Sequence, residues 1–113
     1  MESTRQKKVS RLIQKELSII FQYNSRDLFS GVIITVTVVH VTPDLSIAKV
    51  YLSLFPADNK NDFLDQVKRK SSFVRHELSK KIRYQVKSIP ELSFYLDDSL
   101  DYVDNIEQLL KDS

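Results

Sequence analysis

Apolar residues recur at three- and four-residue spacing across residues 4–21, at Val9, Leu12, Ile13, Leu17, Ile20 and Phe21. This period predicts an amphipathic helix, and Ser3 or Thr4 can cap its start. Lys7, Arg11 and Lys15 stand four apart and form one stripe on the face away from those residues. NSRDLFSG, residues 24–31, reads as a loop ending in the only glycine, Gly31. VIITVTVVHV (32–41) is β-branched almost throughout and predicts a strand. TPDLS (42–46) is turn chemistry, with proline presetting one dihedral and Asp44 able to bond its own backbone. IAKVYLSLF (47–55) alternates, with Ala48, Val50, Leu52 and Leu54 on one face and Lys49, Tyr51 and Ser53 on the other. Two such runs across a short turn predict an antiparallel hairpin.

Asn61 or Asp62 then opens a short helix carrying Phe63, Leu64 and Val67. A further helix follows across Ser71 and Ser72, with Val74, Leu78 and Ile82 four apart. IPELSFYLD (89–97) places Leu92, Phe94 and Leu96 on one side of a third strand, with Ser93 and Tyr95 on the other. Pro90 lies near its start, where proline is tolerated. Ser99 can cap a last helix bearing Leu100, Val103, Ile106, Leu109 and Leu110. The order is helix, strand, strand, helix, helix, strand, helix. One three-stranded sheet with helices on one face is the economical solution, a single α+β domain over residues 1–113.

The 113 residues are 42% hydrophobic, enough to bury one core. The absence of cysteine excludes disulfides, thiolate metal sites and a cysteine nucleophile, and fits a reducing cytosol. MESTRQKKVSRL lacks the apolar run of a signal peptide, and no stretch could span a membrane as a helix. The expectation is a soluble cytoplasmic protein. A net charge of +2 hides a marked segregation. Residues 68–87, KRKSSFVRHELSKKIRYQVK, hold Lys68, Arg69, Lys70, Arg75, Lys80, Lys81, Arg83 and Lys87 against Glu77 alone. From Glu91 onward come Asp97, Asp98, Asp101, Asp104, Glu107 and Asp112, opposed by Lys111. Charge sorted in this way speaks of partners and fields, not of fold.

A lysine-rich helix is often only a solvated surface. Here the i,i+4 acids that normally accompany such a surface are nearly absent, and the first helix repeats the sorting. A face that neutralises phosphates, positioning without reading sequence, is the sharper interpretation. Ser71 and Ser72 can offer hydroxyls or amides to a phosphate at a helix start, or simply cap and bend the chain. His40 and His76 have no second histidine or carboxylate at ligand spacing, so a structural or surface role is preferred over metal binding or catalysis. DDSLDYVDN lacks the glycine and closing glutamate of a calcium loop, and its first acids suit a helix N-terminus. Tyr51 and Tyr95 share the second face of the sheet, where base stacking or partial burial would each explain them. No triad, glycine-rich phosphate loop or paired carboxylate can be assembled, so neither catalytic residues nor cofactor nor small-molecule substrate is expected.

The element order is that of the type II KH domain, a single-stranded nucleic-acid module whose central helices normally flank a GxxG loop. The local words are more specific. RLIQKEL, ITVTVVHVTPDLSIAKVYLS, SSFVRHELSKKIR and IPELSFYLDDSL follow one another with the spacing of ribosome-binding factor A, which the chain resembles over roughly residues 5 to 110. That family has a KH-like fold in which GxxG is replaced by an Ala-x-Gly kink between helices. The corresponding positions here are Lys70, Ser71 and Ser72. The resemblance implies a bacterial assembly factor, monomeric and not an enzyme. It would bind free 30S subunits through rRNA and neighbouring ribosomal proteins. It would aid late maturation and 16S rRNA processing near the 5′-terminal helix, and support growth in the cold. The implied contact set is Lys7, Lys8, Arg11 and Lys15 with Lys68, Arg69, Lys70, Ser71, Ser72, Arg75, Lys80 and Arg83. The alternatives are a general single-stranded RNA or DNA binder, and a protein-interaction module docking on a ribosomal protein.

Overall fold

The computed structural model describes residues 2–55 and 59–97. The expected helix after Ser99 lies outside them. The elements are α1 (Thr4–Tyr23), α2 (Ser25–Leu28), β1 (Ile33–Val41), β2 (Ile47–Phe55), α3 (Lys60–Arg69), α4 (Ser71–Ile82) and β3 (Glu91–Leu96). The sheet order is β1-β2-β3, with β1 antiparallel and β3 parallel to β2. A parallel pair needs a long crossover, and α3 with α4 supplies it.

α1 begins with a capping box. The Gln6 amide donates to the Ser3 hydroxyl at 3.1 Å, and the Ser3 amide donates to Gln6 Oε1 at 2.8 Å. Its apolar face buries Val9, Ile13, Leu17, Ile20 and Phe21. A second stripe, polar and also spaced by four, runs along the free edge of β1. Gln6 Nε2 donates to the Val41 carbonyl at 3.0 Å, Ser10 Oγ accepts from the Val41 amide at 3.3 Å, and Gln14 Nε2 reaches the Val36 and Thr37 carbonyls at 3.2 and 3.1 Å. An edge strand's unpaired backbone groups are thereby satisfied by side chains.

Gln14 meets β1 at an irregularity. The register with β2 shifts between Val36 and Val38, so Ile34 and Val36 face the core before it, and Val39 and Val41 after it. An extra residue changes which parity faces inward. This explains why this strand reads as a nearly unbroken apolar run, while β2 buries Ala48, Val50, Leu52 and Leu54 in strict alternation. Helices cover only one face of the sheet among the described residues. On the other, Tyr51 and Tyr95 stack at 5.3 Å between ring centroids.

Four boundaries depart from the periodicity. α1 extends to Tyr23. The expected 24–31 loop contains the single turn of α2 and then Phe29, fully buried against Phe21 at 5.5 Å and Phe63 at 6.3 Å. Ser30 and Gly31 both take positive φ, 53° and 77°, to turn from this anchor into β1. α3 starts at Lys60, because Asn59 rather than Asn61 or Asp62 caps it, accepting from the Asp62 amide. β3 spans 91–96 rather than 89–97.

The 42–46 turn is held by Asp44, whose Oδ1 accepts from the Thr42 hydroxyl (2.7 Å), the Ser46 hydroxyl (2.8 Å) and the Ser46 amide (3.1 Å). The Thr42 hydroxyl, then the Ser46 hydroxyl and amide, hold the carboxyl below its ordinary pKa. A lowered carboxyl pKa stabilises the fold above the ordinary carboxylate range, and that contribution fades as pH falls through the lowered value. An NMR titration should therefore find the Asp44 midpoint below that of aspartate in a short peptide, with the Ser46 amide shift following the same curve. In urea denaturation, Leu17→Ala should cost about 3 kcal/mol, as for a fully buried leucine. Gln14→Ala should cost about 1 kcal/mol, as for a lost hydrogen-bonding side chain.

Candidate nucleic-acid interface

α1 and α4 lie side by side on the sheet and pack against each other, so their polar faces point outward together. On α1, Lys7, Lys8, Arg11 and Lys15 are all exposed. Lys80 on α4 and Arg83 at its C-cap are exposed, as are Lys68 and Arg69 at the end of α3. Among the described residues, the basic side chains in contact with a carboxylate are His40 with Glu2 and Lys80 with Glu77, the latter at 3.3 Å. Lys7, Lys8, Arg11, Lys15, Lys68 and Arg69 therefore carry charge that no described carboxylate neutralises. The Arg83 guanidinium sits over the Tyr84 ring at 4.7 Å and donates to its hydroxyl at 2.7 Å, which fixes a cation beside an exposed aromatic.

Two cations of the expected contact set have structural partners. Lys70 is half-buried, its ammonium donating to the Leu28 carbonyl and lying 5.2 Å from the Phe29 ring centroid. It ties the α3–α4 junction to α2. Arg75 donates from Nε to the Pro90 carbonyl at 3.1 Å and from Nη2 to the Ile89 carbonyl at 2.7 Å. It fastens α4 to the chain leading into β3.

The junction itself turns at Lys70, with φ −98° and ψ 12°. This is the bridge region, open to any L-residue. No glycine is required, and the described non-glycine residues with positive φ are Ser30 and Leu45, not Ser71 or Ser72. The two serines are the first residues of α4, which has no side-chain cap and no acid in its first turn. Its leading amides keep their partial positive charge for an anion. Ser71, Ser72 and Arg75 share a shallow groove of about 280 Å³ with Glu91 and Leu92, and Lys68 and Ser71 share another of about 270 Å³ with residues 92–95. The junction thus lies beside β3, an edge strand of the sheet.

The structure also joins the two basic regions elsewhere. Arg5 and Lys8 of α1 line one cleft with Lys87, which follows α4. Arg5 and Lys87 lay outside the sequence-derived set because neither falls on a helical stripe. The stripe Gln6, Ser10 and Gln14 was visible as spacing by four, but without a partner strand it reads as an ordinary polar face.

Among the described residues, no three or more His, Asp or Glu side chains are grouped to hold a metal ion, and no helix is long and apolar enough to cross a membrane. An α+β domain with a helix–junction–helix crossover and an exposed cationic helix layer is a KH-like module. The family model for ribosome-binding factor A matches residues 5–110, and the chain belongs to that family. Ribosome-binding factor A of Cytophaga hutchinsonii is 48% identical over 110 residues, covering 97% of this chain and 83% of that protein. The crystal structure of the Thermus thermophilus protein superposes with a TM-score of 0.66 at 20% identity, covering 80% of this chain and 94% of that one. A Thermus thermophilus homology model, fitted into a cryo-EM map of a complex with the 30S subunit, gives 0.60 at 22% identity, covering 77% and 89%. At these identities the two structures show a shared fold.

The separation between structural and free cations is testable by urea denaturation. Arg75→Ala should lower stability by about 1 kcal/mol, a charged hydrogen bond discounted for exposure. Lys15→Ala should stay within about 0.5 kcal/mol of the parent.

Proposed function

We propose that this protein binds the free 30S ribosomal subunit as an assembly factor, docking the outer face of its helix layer on rRNA phosphates. The observation that carries the reading is the set of exposed, unpaired cations on α1 and at the end of α3, continued by Lys80 on α4 and Arg83 at its C-cap. Family membership and the relative fitted into a 30S complex support it. Lys7, Lys8, Arg11, Lys15, Lys68, Arg69, Lys80 and Arg83 supply the field. Lys70 and Arg75 hold the junction that presents Ser71 and Ser72. Binding rather than catalysis is the activity, exerted by a cytoplasmic monomer with rRNA and adjoining ribosomal proteins as its surroundings. Its task is late maturation, with support for 16S rRNA processing near the 5′-terminal helix and for growth in the cold.

A second reading, a general single-strand binder, is favoured by the groove between the α3–α4 junction and β3. It predicts strong binding to naked oligonucleotides.

Co-sedimentation with free small subunits and with intact ribosomes, at low and moderate salt, separates the two. Preference for free subunits is expected. Each neutralised phosphate contributes roughly −0.7 to −0.9 to the slope of log affinity against log salt. The Lys7→Glu, Arg11→Glu, Lys80→Glu variant should therefore lose binding and flatten the slope by about two to three. Undiminished binding by that variant, with an unchanged circular dichroism spectrum, would remove the helix layer as the docking surface.

A further inference from the structure

A cleft lies away from the α3–α4 junction, past the other end of α4. Three segments meet there: the start of α1, the 42–46 turn, and residues 85–88. The cleft has a volume of about 520 Å³, within the roughly 300–1,000 Å³ range of small-ligand sites. Its floor is aliphatic. Val9 is buried, and Leu45 and Val86 pack against the core. Its rim is cationic, with Arg5, Lys8 and Lys87 exposed and paired with no described carboxylate. The one acid in the lining is Asp44, and its Oδ1 is taken by Thr42 and Ser46 within the turn.

A second observation concerns the backbone. Leu45 has φ +61°, a conformation that bulky L-residues rarely adopt. Asp44 and the bond from the Leu45 amide to the Thr42 carbonyl, 2.8 Å, hold it there. Local strain that is over-determined by its surroundings concentrates at functional sites. Here it accompanies an aliphatic side chain on the cleft floor, in the middle of the PDLS run.

We propose that this cleft is a nucleotide subsite that receives one unpaired nucleotide of an RNA strand, with its base on Val9, Leu45 and Val86 and its phosphate on Arg5, Lys8 and Lys87. A base has two apolar faces and a charged neighbour on each side, which matches an aliphatic floor under a cationic rim. The inference rests on the RNA-docking reading of the helix layer, because Lys7, Arg11 and Lys15 carry the same positive field onward along α1. It adds a contact that phosphate neutralisation cannot supply, a pocket that distinguishes unpaired from paired RNA.

The test is NMR of the full chain, following amide and methyl signals, with single-stranded hexa-adenylate as probe and inorganic phosphate as control. The oligonucleotide should move the methyls of Val9, Leu45 and Val86 upfield by ring current, and phosphate should move only the rim amides. Leu45→Gly suits the positive φ, so it should fold while weakening the oligonucleotide about tenfold, as for loss of a buried apolar contact. Arg5→Ala with Lys87→Ala should weaken it comparably. If the oligonucleotide shifts only the Lys7, Arg11, Lys15 and Lys80 region, the subsite is wrong and the broader docking reading stands. If phosphate alone reproduces the methyl shifts, the cleft is an anion site and not a nucleotide site. No shift anywhere, together with no co-sedimentation with small subunits, overturns both readings.

Discussion

Parallel pairing of β2 with β3 cannot be closed by a tight turn, and much of the molecule follows from that constraint. The chain leaves the C-terminal end of β2 and must travel back along the sheet to its N-terminal end before β3 can begin beside Ile47. It does so through α3 and α4, whose apolar stripes Phe63, Leu64, Val67 and Val74, Leu78, Ile82 fill the core on the way. Because α1 covers the β1 side of the same face, the three long helices form one layer. Their solvent faces become one continuous surface. The sheet thus brings helices from two separate basic stretches of the sequence into one layer.

Cations divide by what lies beneath them. Lys70 and Arg75 stand over backbone carbonyls that no strand or helix claims, those of Leu28, Ile89 and Pro90. A buried or half-buried carbonyl without a donor is costly, so these two side chains are committed to the fold. Lys7, Arg11 and Lys15 stand over nothing but their own helix. Their clustering opposes stability through mutual repulsion and is offset only when an anion arrives. An exposed stripe that does nothing for the fold is reasonably assigned to a partner, whereas a cation that bridges segments first needs its structural role subtracted.

The same distinction governs what was legible beforehand. Period 3.6 and period 2 sufficed to place α1, β2, α4 and β3, though α1 runs on to Tyr23 and β3 is confined to 91–96. β1 hid its register: Ile34, Val36, Val39 and Val41 all face the core, and only the pairing with β2 reveals where the parity changes. Phe29 looked like a loop residue, since its ring partners Phe21 and Phe63 come from two other elements, α1 and α3. In the basic run 68–87, Lys70 and Arg75 were indistinguishable from Lys68 and Lys80. Their acceptors lie 42, 14 and 15 residues away in sequence, and no local pattern encodes such a partner. Arg5 and Lys87 were visible as members of two basic stretches, but not as neighbours, since they converge only once α1 and the segment after α4 are folded together.

The α3–α4 junction turns without a glycine. A glycine at a helix break is needed only if the turning residue has positive φ. Here the break falls one residue earlier in character: Lys70 turns the chain at negative φ, its amide still bonded to the Val67 carbonyl at 3.0 Å and its carbonyl already accepting from Val74 at 3.0 Å. It closes one helix and opens the next. Its ammonium, drawn inward to the Leu28 carbonyl and the Phe29 ring, supplies the tertiary restraint that fixes the direction of the break. Ser71 and Ser72 are then free to be ordinary first-turn residues, with polar side chains and amides at the positive end of α4. The junction therefore presents an uncapped helix start beside an edge strand, with its direction fixed by a lysine and not by a glycine.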